Sequence, residues 1–281
     1  MTSTLVETPA RPARVRRASR TTLTPASSLA LGISVTWFSL LVLIPLAAIV
    51  ATAAGGGWDS YWRTITNAET FAAVRLTVEQ AAVVTVINVV MGTLIAWVLV
   101  RDQFFGKRLL DIVIDIPFAL PTIVAGLVLL GLYGPTSPIG VHWAYTKMAV
   151  PLALAFVTLP FVVRTVQPVL GELDTDVEEA AASLGAGRWT ILRRIVLPSL
   201  LPAITAGAAL SFARAIAEYG SLVLLSSNKP FNSEVVSVRV LTYIENGSTA
   251  AAASVASLML FVSLVVIVLL DILSRRAARR G

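Results

Sequence analysis

The sequence predicts an all-α, polytopic membrane protein with six transmembrane helices, and three observations point there. Of 281 residues, 56% are apolar and only 14% are charged, well below the roughly 25% charged of a soluble domain. Apolar runs long enough to cross a bilayer recur along the chain; a span needs about 20 such residues, because each adds about 1.5 Å against about 30 Å of hydrocarbon. The basic residues gather at the two ends and in alternate connections, the distribution that orients membrane helices.

In chain order, residues 1–28 form a basic arm carrying Arg11, Arg14, Arg16, Arg17 and Arg20, with Pro9 and Pro12. This composition reads as a disordered cytoplasmic arm. A cleaved signal peptide is the rival reading, but the apolar run that follows is longer than a signal core and more runs follow it. A transmembrane domain then covers 29–273. Its first span lies near 29–53, the second near 78–100, the third near 109–133, the fourth near 148–170, the fifth near 199–225 and the sixth near 250–272. A basic tail, 274–281, carries Arg275, Arg276, Arg279 and Arg280.

The connections check the count. With the N-terminus cytoplasmic, the arm, 101–108, 171–198 and the tail face inward and hold fifteen Arg or Lys, against five on the opposite side. Six helices with both termini cytoplasmic satisfy the positive-inside rule; an odd number would leave one arginine-rich end outside. Trp58, Trp62, Trp143 and Tyr145 fall beside the expected outer connections, where amphipathic rings favour the interface. Pro45, Pro117, Pro121, Pro151, Pro160 and Pro168 lie within or near helix ends; each removes a backbone donor and favours a kink, which membranes tolerate where neighbours or water satisfy the freed groups.

Several classes fall away. There is no cysteine and a single histidine, His142, so thiolate metal sites and imidazole clusters are excluded. No metal site, resident cofactor or catalytic residue is expected. A net charge of +6 suggests nucleic acid only until its distribution is seen: no continuous basic face is present.

The segment 171–198 is the longest inward connection, yet it is not loop-like. Asp174, Thr175 or Asp176 can cap a helix, with Glu178 and Glu179 in its first turns, where negative charge is favoured. Val177, Ala180, Ala181 and Leu184 share one face, and Gly185 and Gly187 permit a sharp turn. A second short helix places Trp189, Leu192, Ile195 and Val196 opposite Arg188, Arg193 and Arg194, with Pro198 as breaker or start of the next element. The expectation is a cytoplasmic helix–turn–helix docked in another protein. The alternative is a helix lying on lipid; its acidic half would be repelled there.

Charges within the spans cost roughly 2.5–3.5 kcal/mol each when exposed to hydrocarbon and should face protein or water. Arg164 shares its depth with Asp111 and Asp115 on an antiparallel neighbour, so a pair is expected, with snorkelling as the alternative. Arg214 and Glu218 are one turn apart and can bridge at i,i+4. They either lock helix packing or line a path in which a positive group compensates an anion.

The segment Glu179-Ala180-Ala181, three residues, Gly185, nine residues, then Ile195-Val196-Leu197-Pro198 resembles the EAA loop of inner-membrane permease subunits of binding-protein-dependent ABC importers, without departure at those positions. The resemblance covers about 70–273 and implies the type I importer permease fold. By it, Glu179, Ala180, Ala181, Gly185, Ile195, Leu197 and Pro198 are the coupling element seated in a cleft of a separate ATPase. The chain has no GxxxxGK[ST] loop, so ATP and Mg belong to partner subunits.

Two further stretches, IPFALPTIVAG at 116–126 and SFARAIAEYGSLVLLSSNKP at 211–230, resemble the sulfate/thiosulfate permease branch, its T-type subunit in particular. Ala217 departs from the glycine usual there. The resemblance implies a W-type permease partner, two ATPase subunits, an extracytoplasmic sulfate-binding protein, and sulfate or thiosulfate as solute. Molybdate permeases and the W-type subunit share much of the pattern and remain alternatives. A secondary transporter would need coupling carboxylates near the midplane and inverted repeats; the carboxylates here lie near helix ends or beside Arg214, and no repeat is evident.

Overall fold

The computed structural model describes residues 25–278, so the basic arm up to Thr24 and the last tail arginines lie outside the described residues. Among the described residues there is no strand. In chain order the helices are α1 Pro25–Phe38, a π turn Ser39–Leu43, α2 Ile44–Gly55, α3 Trp58–Thr66, α4 Ala68–Arg101, α5 Lys107–Ala119, α6 Thr122–Tyr133, α7 Ala149–Glu172, α8 Thr175–Ser183, α9 Arg188–Ile191, a second π turn Leu192–Val196, α10 Leu197–Ile216, α11 Gly220–Leu225, α12 Val236–Glu245 and α13 Thr249–Ala278.

The chain divides into two compact units, 1–48 and 49–281. The described part of the first is apolar helix with no buried residue. The second unit holds the bundle.

Among the described residues, five continuous helical segments are long and apolar enough to cross a membrane: Ala26–Gly55, Ala68–Arg101, Ala149–Glu172, Arg188–Ile216 and Thr249–Ile272. The expected third span, 109–133, is not one helix. It breaks into α5 and α6, bent by 117°, around Leu120 and Pro121. Pro121 has no amide hydrogen to give to α5, and its carbonyl instead accepts from Val124 and Ala125 to start α6. The expected fifth span also stops early: α10 ends at Ile216, and α11 is a separate short helix. Two amphipathic helices, α3 and α12, occupy stretches expected to be outer connections.

α4 organises the bundle. The Asn67 side chain caps it by accepting from the amides of Glu69 and Thr70. Thr85 apart, its buried residues Thr70, Ala73, Thr77, Ala81, Val84, Asn88, Gly92, Ala96 and Leu99 recur every three or four positions, one face of a 3.6-residue period. Small residues on that face let α7 and α10 approach closely. A Cβ at Gly92 would stand 2.9 Å from that of Val162 on α7, and where α10 meets α7 one at Gly207 would stand only 2.3 Å from Thr165 Oγ1. Midway along, Asn88 Nδ2 donates to Thr158 Oγ1 at 2.8 Å and faces Ser211 Oγ at 3.5 Å, joining α4, α7 and α10. All three residues are buried, where a satisfied polar network fixes helix register.

Candidate functional site

The elbow between α7 and α10 is built as its residues dictate. Asp174 Oδ1 accepts from the Asp176 amide at 2.9 Å, and Asp176 and Glu178 sit in the acidic first turn of α8. Gly185, at φ 86°, closes the helix. Its amide donates to Ala182 O at 2.9 Å and that of Ala186 to Ala181 O at 3.0 Å, the paired bonds of a Schellman motif. Thr190 and Ile191 then bond back to Gly187 O to begin α9. The second arm of the elbow is not a separate short helix: α9, the π turn and α10 run on without a break, so Pro198 lies inside one continuous helix just past the π turn, with no amide to bond back along it.

Of the motif residues, Glu179, Ala180, Gly185, Leu197 and Pro198 are exposed, and Ala181 and Ile195 are half-buried. Leu184, at 90% exposure, and Val177 and Trp189 stand open beside them. Glu179 is exposed beside these apolar side chains.

Within the bundle, Arg164 of α7 meets both expected partners on α5. Its Nε and Nη2 donate to the two carboxylate oxygens of Asp115, each at 2.7 Å, and Nη1 donates to Asp111 Oδ1 at 2.7 Å. Nη2 also reaches Asp111 O at 2.8 Å and Nη1 reaches Gln167 Oε1 at 2.5 Å. Asp111 and Asp115 remain 42% and 50% exposed. Carboxylates so open within a membrane-spanning stretch are expected to meet water or protein rather than lipid.

Arg214 and Glu218 also meet, Nη2 to Oε2 at 2.7 Å. Glu218 is not on α10, as the sequence suggested; it lies just past the Ala217 cap. Its side chain is fully buried, and Oε1 accepts from the Ser221 amide at 2.9 Å and Ser221 Oγ at 2.8 Å. Arg214 keeps 29% exposure. The carboxylate thus anchors the turn into α11, while the guanidinium retains an open side.

The two helix breaks lie against each other. A Cβ at Gly220 would come 2.2 Å from Thr122 Oγ1 and 2.9 Å from the Ile123 amide; one at Gly126 would meet Ser221 O at 2.7 Å. α11 therefore packs on α6 through backbone contact that only glycine permits.

A third charged group escaped sequence reasoning. Arg239 of α12 pairs with Glu69 at the start of α4 (2.6 Å) and lies 3.9 Å from Glu234. Its guanidinium covers the Tyr243 ring at 4.9 Å, and Tyr243 Oη bonds Thr70 Oγ1 at 2.7 Å. Burial pushes the Glu234 carboxyl above its ordinary range, Arg239 pulling it down and Glu69 pushing it up. The missed signal was Arg239 inside the amphipathic repeat of α12. Among the described residues no group of His, Cys, Asp or Glu could hold a metal ion.

Comparison with known proteins sets this geometry in a family. Residues 88–279 match the family model described as binding-protein-dependent transport system inner membrane component. The sulfate transport system permease protein CysT of Escherichia coli (strain K12) is 41% identical over 264 residues, 91% of this chain and 95% of that protein. CysT of Synechocystis sp. is 39% identical over 254 residues, 88% of this chain and 89% of that protein. Among solved structures, a bacterial alginate ABC transporter in complex with its alginate-bound periplasmic protein aligns with a TM-score of 0.75 at 15% identity, over 89% of this chain and 94% of that one. An inward-facing MetNI methionine ABC transporter aligns with a TM-score of 0.59 at 18% identity, over 74% and 96%. At those identities the structures speak to the fold alone. The chain belongs to the binding-protein-dependent transport system inner membrane component family.

Proposed function

We propose that this chain is one of two permease subunits of an ATP-driven sulfate importer, forming half of the translocation path and catalysing no bond chemistry itself. The observation that carries this reading is the 41% identity to a sulfate permease over nearly the whole of both proteins. Its partners are a W-type permease subunit, two ATPase subunits that bind ATP and Mg, and an extracytoplasmic sulfate-binding protein. Both termini are cytoplasmic, in keeping with the basic residues at the chain ends and on the elbow.

The elbow is the coupling element. Leu184, Val177, Ala180 and Glu179 form an open face on a capped, rigid helix, suited to a cleft in an ATPase subunit. Closure of the ATPase pair on ATP then moves α7 and α10, whose chain runs directly into the elbow. Arg214 contributes positive charge to the path, while its buried partner Glu218 tempers anion affinity so that sulfate can leave. The exposed Asp111 and Asp115 mark the side of the subunit that faces the path or the second permease.

Proteoliposomes holding the complete complex test this. ATP-dependent uptake of radiolabelled sulfate, inhibited by thiosulfate more than by molybdate, is expected. Molybdate uptake in preference to sulfate would reassign the solute, and uptake independent of an ATPase subunit would overturn the class.

A further inference from the structure

The elbow is joined to the bundle in two different ways. α7 enters α8 through Leu173 and Asp174, and α9 runs through the π turn into α10. Movement of the elbow reaches those two helices through the chain. α4, which packs against both, has no such connection. Its last residue, Arg101, instead donates from Nη2 to Oε1 of Glu178, 77 positions away on α8.

This contact is more protected than a surface ion pair. The two side chains are 20% and 22% exposed, so water and salt screen it weakly. The Arg101 guanidinium lies over the Trp97 ring at 5.6 Å, which fixes its plane. Its Nε is buried without a hydrogen-bond partner, so no second acceptor stands ready if Glu178 is withdrawn. Polarity is also matched: Arg101 ends α4, where a cation is favoured, and Glu178 opens α8, where an anion is favoured. α8 itself has no buried residue. Beside the pair lies a cleft of about 540 Å³ lined by Trp97, Arg188, Trp189, Leu192 and Val196. With no packed core of its own, α8 depends on this ion pair for its position against α4.

We propose that Arg101 and Glu178 form a strut that transmits the motion of the coupling elbow to α4, making both of them positioning residues for transport. The proposal rests on the reading of the elbow as the ATPase-docking element. Through the strut, a push on α8 moves α4 together with α7 and α10, and the tightly packed three-helix core moves as a body. Without it, the elbow reaches α4 only through the packing of α7 and α10 on it, the cytoplasmic end of α4 lags behind theirs, and hydrolysis no longer drives transport in step.

The test uses the complete complex in proteoliposomes and reads sulfate transported per ATP hydrolysed, together with the amount of ATPase retained and the Tm. R101Q, E178Q and R101E are expected to lower the transport ratio at least about fivefold, the small end of usual coupling effects, with the ATPase still bound. The exchange R101E/E178R is expected to recover a higher ratio than R101E alone. An unchanged ratio in the single variants overturns the strut, as does a ratio in R101E/E178R no higher than in R101E. A lowered Tm or yield with the ratio per assembled complex intact would also overturn it, showing a merely structural role. L184D separates this from the underlying reading. If L184D keeps both ATPase and uptake, the docking reading fails. If L184D sheds the ATPase while R101Q and E178Q are silent, only the strut fails.

Discussion

Arg164 holds Asp115 as a fork, with Nε and Nη2 each 2.7 Å from one carboxylate oxygen. The remaining nitrogen takes Asp111, so a single side chain of α7 braces two successive turns of α5. α5 is the half-helix that ends at the 117° break, and the brace holds it upright against α7.

Loss of that brace is expected to be measurable. Arg164→Ala should lower stability by about 1.5–3 kcal/mol, the range for hydrogen bonds to charged groups, taken at its lower end because both carboxylates are half-exposed. Arg164→Lys should recover only part, since an ammonium cannot span both oxygens in the fork geometry. Thermal unfolding of the purified complex in lipid nanodiscs reads both.

The crossing of the two breaks gives a sharper steric prediction. Gly126→Ala would drive a methyl group against the Ser221 backbone at 2.7 Å, and Gly220→Ala against the Ile123 amide at 2.9 Å. Backbone cannot swing aside as a side chain can, so each should cost about 1–3 kcal/mol. Gly131→Ala, whose Cβ would meet nothing within 4 Å, should be neutral or slightly stabilising. Equal Tm values for all three would contradict the close approach of α6 and α11.

Helix existence, the elbow and its cap were legible in the sequence because each rests on local chemistry: apolar length, Asp174 before an acidic turn, and a glycine at positive φ. The 117° break was not. Pro117, Pro160 and Pro168 sit inside continuous helices, so proline alone did not mark Pro121 as the break. What settles it is tertiary: the half-helices need α11 and Gly126 to close the gap. The ten-residue extension of α4 had a local sign, Asn67 two residues before Glu69, outweighed in the reading by Glu69, Arg75 and Glu79. The polarity of α12 hid it as a connection, although Arg239 is paired there with Glu69 and covers the Tyr243 ring.

The Glu234 site predicts a pH dependence. Burial raises its carboxyl above the ordinary value near 4.5, so the folded protein holds the proton more tightly than the unfolded chain. Stability from this group is full below about 4.5 and is lost as pH rises through the folded value. Wild-type protein should therefore lose Tm over that rise, and Glu234→Gln should flatten this part of the profile. An identical profile in the variant would contradict the assignment.

Arg214 and Glu218 can be separated by a cycle. Arg214→Ala alone leaves a fully buried carboxylate whose remaining partner is Ser221, and breaking such a pair costs roughly 3–5 kcal/mol. The double change Arg214→Leu with Glu218→Gln should be much milder in Tm. If Arg214 also serves the path, that folded double variant should show a raised KM or lowered rate for sulfate. Unaltered uptake would confine the pair to packing.

The most direct measurement uses the absence of native cysteine. Leu184→Cys introduces a single thiol on the open apolar residue that caps the C-terminus of α8. In the assembled, transport-competent complex it should crosslink to a cysteine placed in the cleft of the ATPase subunit, and the crosslink should arrest sulfate uptake until reduced. A complex that imports sulfate with this thiol reachable only by lipid-phase or aqueous reagents, and never by the ATPase, would contradict the account.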